Sequence, residues 1–331
     1  MDQQKILDFS ERLTKKYCSL VNIASQSTIN HPFRVQLQSS LVDFVLAHHD
    51  EELQEYARSI IPVELIHTKA QRLIEEQSDL PFNHALTKAL LEWFKNDFFK
   101  WVDLLPCEKC GSTTQHRGSV APNKEEILCK VSRTELHACL KCNHMNRFPR
   151  INDAKKLLET RRGRCGEWAN CFGLVCRAMG LETRYIRDFT DHVWNEIYCD
   201  VQNRWIHCDS CENAFDNPHL YESGWGKKLN YVIAIGDYAV KDVTKMYTKD
   251  YSEVSKRRNL VSEKDLVLIG REMTYKQRIG LNSGFKAELL QSDLVELEYI
   301  FGMRSGPTGT LQGRQSGSIE WREVRGETGT Q

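Results

Sequence analysis

Two pairs of cysteines place the strongest constraint on how this chain can fold. Both pairs have the spacing CxxC, and 28 residues separate the pair Cys107 and Cys110 from the pair Cys139 and Cys142. Each CxxC turn presents two thiolates on one side, and tetrahedral zinc needs four thiolates about 2.3 Å from the metal. The spacing therefore predicts one structural zinc site, with Zn²⁺ as the cofactor. Four thiolates close the coordination sphere, so the metal should hold structure and take no part in chemistry.

Two other interpretations of these cysteines are a redox-active CxxC pair and a coincidence of spacing. The presence of two matched pairs argues against both. The chain has twelve cysteines in 331 residues, and such a content would suit a disulfide framework only in a small secreted protein. Residues 1–4 do not resemble the start of a signal peptide. A reducing compartment fits better, so we expect a cytoplasmic protein, with the nucleus as a further location.

Charge and hydropathy exclude two classes of function. Lysine and arginine together number 45, and so do aspartate and glutamate, which leaves no net field to attract nucleic acid or an anionic membrane. No apolar run approaches the roughly 18 residues of a membrane-spanning helix. The sequence therefore predicts neither a nucleic-acid partner nor a membrane span.

A cysteine at the start of an apolar helix is the first candidate for chemistry. From Trp168 the apolar side chains recur with helical spacing, and Gly180 stands where a C-terminal cap belongs. Cys165 therefore lies in the first turn of the helix. The helix dipole, with Arg162 and Arg164, should favour the thiolate and bring the thiol pKa from about 8.5 to neutrality or below. Taken alone, the stretch fits a small buried cysteine equally well.

A predicted hairpin supplies a histidine and an aspartate. The stretches 192–198 and 204–209 alternate with period two, and residues 200–203 form a polar turn between them. In the register that such a loop sets, His192 and Asp209 share one face, opposite each other or as diagonal neighbours, within hydrogen-bonding reach. A cysteine, a histidine and an aspartate in this order match a thiol acyl-transfer site. In such a site the base activates the sulfur, and the carboxylate fixes the imidazole tautomer.

Three motifs carry a resemblance to a known family. They are GRCGEWAN (163–170), HVWNE (192–196) and WIHCDSCE (205–212). Together they resemble the transglutaminase-like superfamily and, more narrowly, the peptide:N-glycanase family of deglycosylating amidases. The zinc-type cysteines stand where that family has them. The resemblance runs from about residue 90 to about residue 251 and extends to the segment GRQSGS (313–318).

The resemblance implies an α+β fold. A helix packs on an antiparallel sheet in a transglutaminase-like, papain-like core, with N- and C-terminal helices and an inserted four-cysteine zinc module. The chain is too short for the extra terminal domains of some members, so it resembles the compact fungal type. One N-terminal helix is predicted from Thr87 through Val102. We expect a helical region (1–105), a zinc module (106–150), a catalytic core (151–251) that forms one compact unit with it, C-terminal helices (252–303) and a tail (304–331).

The resemblance also implies a reaction, the hydrolysis of the β-aspartylglucosaminyl amide bond of N-glycans on misfolded glycoproteins. Asparagine becomes aspartate through a cysteine thioester, with Cys165 as the nucleophile, His192 as the acid and base, and Asp209 holding the imidazole. Aromatic faces combined with carboxylates suit sugar rings. The residues implied in substrate binding are Trp101 (beside the catalytic cysteine), Arg184, Trp194, Glu196, Trp205 and Glu212.

Two other functions share parts of this pattern. DNA-damage recognition proteins have the transglutaminase-like fold without a working triad and bind nucleic acid, which the complete triad and neutral charge here oppose. A cysteine protease or a transglutaminase would keep the triad but would not need the zinc cysteines. As partners, the resemblance implies a denatured N-glycoprotein substrate and a ubiquitin-receptor shuttle protein of the proteasome pathway, within ER-associated degradation.

Overall fold

The computed structural model describes residues 31–302 and 312–329. The amphipathic helix that the spacing of Ile6, Phe9, Leu13 and Tyr17 predicts lies outside these residues. The first two helices of the described chain begin at residues whose side chains cap them. For example, the Asp50 carboxylate accepts the N–H of Leu53 at 3.0 Å, and this bond satisfies one of the donors that a helix start leaves free. The helices are α1 (Pro32–Phe44), α2 (Glu51–Ile60), α3 (Val63–Glu76) and α4 (Phe82–Trp93).

The helix predicted through Val102 ends earlier than expected. After α4 the chain makes a π-type turn over Phe94–Phe98 and becomes extended at Phe99, whose buried ring stacks on Phe94 with the centroids 5.2 Å apart. Strand β1 (Lys100–Trp101) then pairs in parallel with β5 (Arg162–Gly163). The burial of successive aromatic rings outweighs the helical pattern here. As a result, Trp101 lies in a strand and pairs with Gly163, two positions before Cys165.

The CxxC pairs belong to a small antiparallel sheet, which we call the cysteine module. Its strands, in the order β2-β3-β4, are β2 (Thr114–Val120), β3 (Thr134–Cys139) and β4 (Met145–Pro149), with the short helix α5 (Lys124–Leu128) between the first two. One CxxC turn precedes β2 and the other joins β3 to β4. Because β2 and β3 are antiparallel and Thr114 pairs with Cys139, both turns lie at the same end of the sheet.

A helix packed on a six-stranded antiparallel sheet forms the core, which confirms the predicted fold. After α6 (Ala154–Thr160) comes α7 (Cys165–Ala178), which packs on two neighbouring strands of the sheet. The strand order is β11-β10-β6-β7-β8-β9. The strands are β6 (Thr183–Asp188), β7 (His192–Cys199), β8 (Arg204–Asp209), β9 (Ala214–Phe215), β10 (Val232–Ile235) and β11 (Val240–Asp242).

The two faces of β7 and β8 belong to different cores. Ile197 and Ile206 are buried in the same cluster as the apolar residues of α7. Trp194 lies in a second buried cluster, on the opposite face of the sheet, with Tyr221 and Trp225. The alternation predicted from sequence thus separates an aliphatic face from an aromatic one. His192 and Asp209 share the aromatic face.

The remaining helices follow the sheet, and the last segment returns to its aromatic side. They are α8 (Tyr251–Ser255), α9 (Glu263–Gln277), α10 (Ser283–Gly302) and α11 (Ile319–Arg325). We call residues 312–329, which include α11, the C-terminal segment. No helix in the described ranges combines the length and the apolar character that crossing a membrane would require.

Candidate active site and cysteine cluster

Cys165 is the first residue of α7, and the start of this helix is fixed by charged side chains. The Glu167 carboxylate accepts the backbone N–H of Arg164 at 3.0 Å and pairs with Arg150 at 2.6 and 2.8 Å. Gly163 leaves the space that Glu167 occupies, since a Cβ at position 163 would come within 2.3 Å of the glutamate side chain. These contacts hold the backbone around the thiol without using the sulfur.

The two arginines that the sequence places beside the thiol do not lie there. Arg162 is exposed. Arg164 turns toward the cysteine module, where it donates to the Glu135 carboxylate at 2.8 and 3.1 Å. Arg150 also reaches Glu135, at 3.2 Å. One carboxylate of β3 therefore connects the cysteine module to the start of the catalytic helix.

The electrostatic environment of Cys165 differs from the prediction as well. Burial raises the pKa of the Cys165 thiol, and Asp191 adds to that effect. Arg314 opposes it most among the cations, followed by Arg150. The prediction of a thiol pKa at neutrality or below is therefore wrong for this site, because desolvation outweighs the nearby positive charges. A thiol of this kind needs a base to give up its proton.

His192 and Asp209 form the hydrogen bond that the hairpin register predicts. Asn195 pairs with Cys208, which makes Asp209 a diagonal neighbour of His192 on the same face. The distance from His192 Nε2 to Asp209 Oδ2 is 2.7 Å, and both side chains are buried. The register argument is confirmed.

The pair is arranged so that the imidazole can act as a base. Burial lowers the pKa of His192, and the positive charges of Arg314 and Lys227 lower it further. A neutral imidazole that donates Nε2–H to Asp209 carries its lone pair on Nδ1. Among the described residues, nothing hydrogen-bonds to this buried Nδ1. The site therefore holds an available proton acceptor next to aromatic walls, with the Trp225 and Tyr221 rings 4.9 and 5.2 Å from the imidazole ring.

Arg314 is a site residue that analysis of the triad motifs did not identify, although the GRQSGS segment contains it. Its side chain is fully buried, and its guanidinium carbon lies 4.6 Å from the Trp225 ring centroid and 5.2 Å from that of Trp101. The Glu327 carboxylate accepts its Nη1–H at 2.6 Å. Trp225 thus packs against both this cation and His192. A fixed charge in a buried aromatic cage acts on its neighbours with little screening from water.

Replacing Arg314 by glutamine should raise the pKa of Cys165 further, because the largest opposing positive charge is removed. The pH dependence of iodoacetamide alkylation of Cys165 measures this change. We expect the midpoint of its basic limb, where the free thiol loses its proton, to move up by about one pH unit. Arg314→Lys keeps the charge and should move the midpoint much less. Equal midpoints for the wild type and Arg314→Gln would contradict the assignment of the charge.

The C-terminal segment also contacts Glu212 and Trp101, two of the predicted substrate-binding residues. The Glu212 carboxylate accepts the backbone N–H groups of Gln315 and Ser316 at 2.6 and 3.0 Å. The indole N–H of Trp101 is donated to Asp103 at 2.7 Å. The structure therefore places both residues at the triad end of the molecule, with their polar groups already bonded within the protein.

The other four predicted substrate-binding residues form a second group on the same face, and Trp194 connects it to the histidine–aspartate pair, because its ring stacks on that of His192 with the centroids 5.7 Å apart. Arg184 pairs with Glu196, and its guanidinium carbon lies 4.2 Å from the Trp205 ring centroid. Trp194 donates its indole N–H to Tyr247 at 2.9 Å, and Tyr247 donates to Glu196. Trp194 and Glu196 are buried, so their polar atoms are satisfied inside the protein.

An open cleft adjoins this second group. Its volume is about 530 Å³, and Arg184, Tyr198 and Trp205 are among the residues that line it. Glu296 of α10, which accepts from Arg184 at 2.6 Å, also lines it. Aromatic faces next to charged hydrogen-bonding groups are suited to a polar ligand with apolar faces.

The four CxxC cysteines come together as predicted. Their sulfur atoms all lie within 4.8 Å of one another, and the Cys110 sulfur is 3.5 Å from those of Cys139 and Cys142. Tetrahedral coordination at about 2.3 Å would put the sulfurs about 3.8 Å apart, so the spacing fits one metal ion. The cluster could therefore hold a metal with four thiolate ligands.

This combination of fold and site defines a transglutaminase-like protein, with a cysteine at the start of a packed helix and a histidine–aspartate pair on neighbouring strands. The transglutaminase-like superfamily profile matches residues 115–210, and the Rad4 transglutaminase-like domain profile matches residues 187–279. The chain is 46% identical over 302 residues to a peptide-N(4)-(N-acetyl-beta-glucosaminyl)asparagine amidase of Gallus gallus and 40% identical over 287 residues to one of Yarrowia lipolytica. The chain belongs to this amidase family, as the motifs predict.

The extent of these matches differs between relatives. The alignment covers 89% of this chain and 46% of the Gallus gallus protein, and 84% of this chain and 80% of the Yarrowia lipolytica protein. The chain thus spans about half the length of the animal relatives. A solved structure, titled as Rad4–Rad23 crosslinked to an undamaged DNA, matches with a TM-score of 0.50 and 15% identity over 82% of this chain and 58% of that chain. That likeness concerns the fold alone.

Proposed function

We propose that this chain hydrolyses the β-aspartylglucosaminyl amide bond of N-glycans on misfolded glycoproteins and converts the asparagine to aspartate. The observation that carries the proposal is the buried His192–Asp209 hydrogen bond, in a chain 40–46% identical to amidases of this name. Cys165 at the start of α7 supplies the nucleophile that such a pair can activate.

In the proposed reaction, His192 Nδ1 accepts the thiol proton while the Cys165 sulfur attacks the side-chain carbonyl carbon. The tetrahedral species collapses to a thioester, and the protonated imidazole gives its proton to the leaving glycosylamine nitrogen. Water then attacks the thioester, its proton passes through His192 to the sulfur, and aspartate is released. Asp209 stabilises the imidazolium in both halves.

The raised thiol pKa supports a particular order of events. Burial disfavours the free thiolate and also disfavours the free imidazolium, so the neutral pair is the resting state. Proton transfer then accompanies attack on the substrate. In this view Arg314 lowers the cost of forming the thiolate, and Asp209 lowers the cost of forming the imidazolium.

We further propose that the substrate contacts both groups of aromatic and charged residues. Trp101 and Glu212 lie at the triad end, whereas Arg184 and Trp205 line the cleft. Trp194 and Glu196 are buried, so Glu196 would act on a sugar through Arg184, with which it pairs, and Trp194 would act by packing against His192. A denatured glycoprotein can bring an asparagine and its first sugars to such a surface because its chain is extended.

The test is an assay of a denatured N-glycoprotein beside its folded form and beside a plain peptide of the same sequence. Release of a 1-amino glycan, with a gain of about one mass unit at the asparagine, is the expected result. Cleavage of the plain peptide or transfer of a glutamine side chain would indicate a protease or a transglutaminase instead. Tight binding of damaged DNA without glycan release would favour the recognition proteins that share the fold.

Family membership also supports a ubiquitin-receptor shuttle protein of the proteasome pathway as the partner, with the cytoplasm and the nucleus as locations. These proposals fit a role in ER-associated degradation. They concern the whole cellular protein and are tested by co-purification from cells.

The metal that we propose for the cysteine cluster is Zn²⁺, held by Cys107, Cys110, Cys139 and Cys142. Four thiolates in tetrahedral spacing are typical of structural zinc, and the ion would supply folding free energy without chemistry. Glu135, on a strand of the same module, pairs with Arg164 and Arg150 at the start of α7. Loss of the metal should therefore disturb the helix that carries Cys165.

We expect elemental analysis to find one zinc per chain. Cys110→Ser should lower the melting temperature by several degrees and reduce activity with it, because metal binding contributes to folding. Cys129→Ser, a change in the same module outside the sulfur cluster, is the matched control and should keep the metal. Pure active protein without zinc would contradict the proposal.

A further inference from the structure

A line of buried polar groups continues behind the histidine–aspartate pair. The Tyr221 hydroxyl lies 2.9 Å from Asp209 Oδ2, and His207 Nε2 lies 2.7 Å from the Tyr221 oxygen. The backbone N–H of Asn217 reaches His207 Nδ1 at 3.3 Å. The hydrogen bonds in such a line could all donate toward Asp209 or all donate away from it. The tautomer of His207, which the Asn217 N–H sets, determines which of these holds.

The backbone amide at the far end fixes the proton positions. Asn217 N–H can only donate, so His207 Nδ1 accepts and its proton lies on Nε2. The Nε2–H is then donated to the Tyr221 oxygen. A hydroxyl has one proton, and with its oxygen already accepting from His207 it donates that proton to Asp209. Each link in the line therefore has one direction.

Both intermediate groups keep their protonation state over the working pH range. Burial lowers the pKa of His207 to about 4. Burial, followed by the neighbouring Asp209 carboxylate, raises the pKa of Tyr221 well above its usual value. A neutral imidazole and a protonated phenol are what the directed line requires.

The line makes Asp209 a carboxylate with three donors. His192 Nε2–H and the Tyr221 hydroxyl both reach Oδ2, and the backbone N–H of Cys211 reaches Oδ1 at 2.9 Å. These donors share its negative charge, so less of it is available to stabilise a proton on His192.

We propose that Tyr221 and His207 are positioning residues that orient the Asp209 carboxylate and limit how strongly it holds the imidazolium form of His192. Their effect rests on the proposed function, since it is exerted through the base of that reaction. The other charged groups that act on His192 are Arg314 and Lys227, with Glu327, Glu212 and Asp191. None of these five belongs to the line, so a change at Tyr221 leaves them in place.

Tyr221→Phe removes one oxygen atom and one donor to Asp209. The carboxylate then stabilises imidazolium more, so His192 gains its proton at a higher pH and is available as a base only above that pH. We expect the acid limb of the pH profile of Cys165 alkylation to move up by about half a pH unit. For deglycosylation, we expect kcat to fall roughly tenfold, since the Asp209 carboxylate loses the hydrogen bond that orients it against His192. The acid limb of kcat/KM should move in the same direction.

Tyr231→Phe is the matched control. Its hydroxyl is also buried and donates to the Val261 carbonyl at 3.0 Å, in a different cluster of the core. Both variants should lose some thermal stability, but only Tyr221→Phe should shift the pH profile. A purely structural role of Tyr221 would lower stability in both variants and shift neither profile, which would overturn the proposal.

His207 provides a second, independent variant. Glutamine can place an amide N–H where His207 Nε2–H lies, so His207→Gln should keep the wild-type profile, whereas His207→Leu should shift it toward that of Tyr221→Phe. Equal profiles for the Gln and Leu variants would also overturn the proposal.

Because alkylation needs no glycan, it tests the positioning role independently of the proposed reaction. If the wild-type protein releases no glycan but Tyr221→Phe still shifts the alkylation limb, the proposed reaction is refuted and the positioning role is kept.

Discussion

Replacing Cys165 by alanine should abolish glycan release from a denatured N-glycoprotein and leave the melting temperature within a few degrees of wild type. The helix start is held by Glu167, Arg150 and Arg164, and none of these contacts involves the sulfur. In a serine hydrolase, removing the nucleophile costs about 10⁶-fold in kcat. A loss of that size should put the variant below detection in a discontinuous assay of released glycan.

A second cysteine on the same helix provides the control for this variant. Cys171 is fully buried, and burial raises the pKa of its thiol, so it should be inert. Cys171→Ala removes the same sulfur atom from the helix and should keep nearly full activity with a small loss of stability. Equal activity in the two alanine variants, or normal activity in Cys165→Ala, would show that the nucleophile lies elsewhere.

Replacing Asp209 by asparagine should lower kcat by about 10⁴-fold, as a comparable change does in a serine triad. The carboxylate accepts the Nε2–H of His192 and so keeps the Nδ1 lone pair available. An asparagine can present its NH₂ group to Nε2, which would move the imidazole proton to Nδ1 and leave no base. The charge that stabilises imidazolium is lost in the same step.

Circular dichroism should show an unchanged fold for Asp209→Asn, because the side chain keeps its shape and polarity. Ser210→Ala, at the first position after β8, is the control and should keep most of its activity. Near-full activity of Asp209→Asn would show that the Asp209 carboxylate has no role in the mechanism.

Periodicity and spacing predicted the parts of the site that depend on one or two neighbouring elements. The alternation of β7 and β8 was enough to place His192 beside Asp209, since a register is fixed by a short loop. The CxxC spacing predicted the cysteine cluster because each CxxC turn presents two thiolates on one side, and one tetrahedral metal needs four. In both cases the spacing along the sequence limits how the side chains can be arranged.

Contacts between distant segments could not be predicted in this way. Arg164 stands next to Cys165 in sequence, yet its side chain turns to Glu135, because a buried carboxylate without a partner would be costly. Arg314 comes from a segment without a strong periodic pattern, and its position depends on three tryptophan rings. Trp101 was predicted in a helix because apolar spacing there is helical, but the pairing of β1 with β5 prevails.

The closure of the C-terminal segment has a consequence for the order in which the chain folds. The hydrogen bond from the Ser318 N–H to Asp103 joins residues 215 positions apart. The entropy of closing a loop grows only with the logarithm of its length, by about 0.6 kcal/mol per doubling. The entropic cost of closing so long a loop is therefore small. The contact nevertheless forms after the local helices and hairpins, because two segments far apart in the sequence meet slowly. We therefore expect Arg314 to take its buried position near Cys165 last. Until it does, a partly folded chain exposes the Cys165 thiol without the positive charge that favours its thiolate.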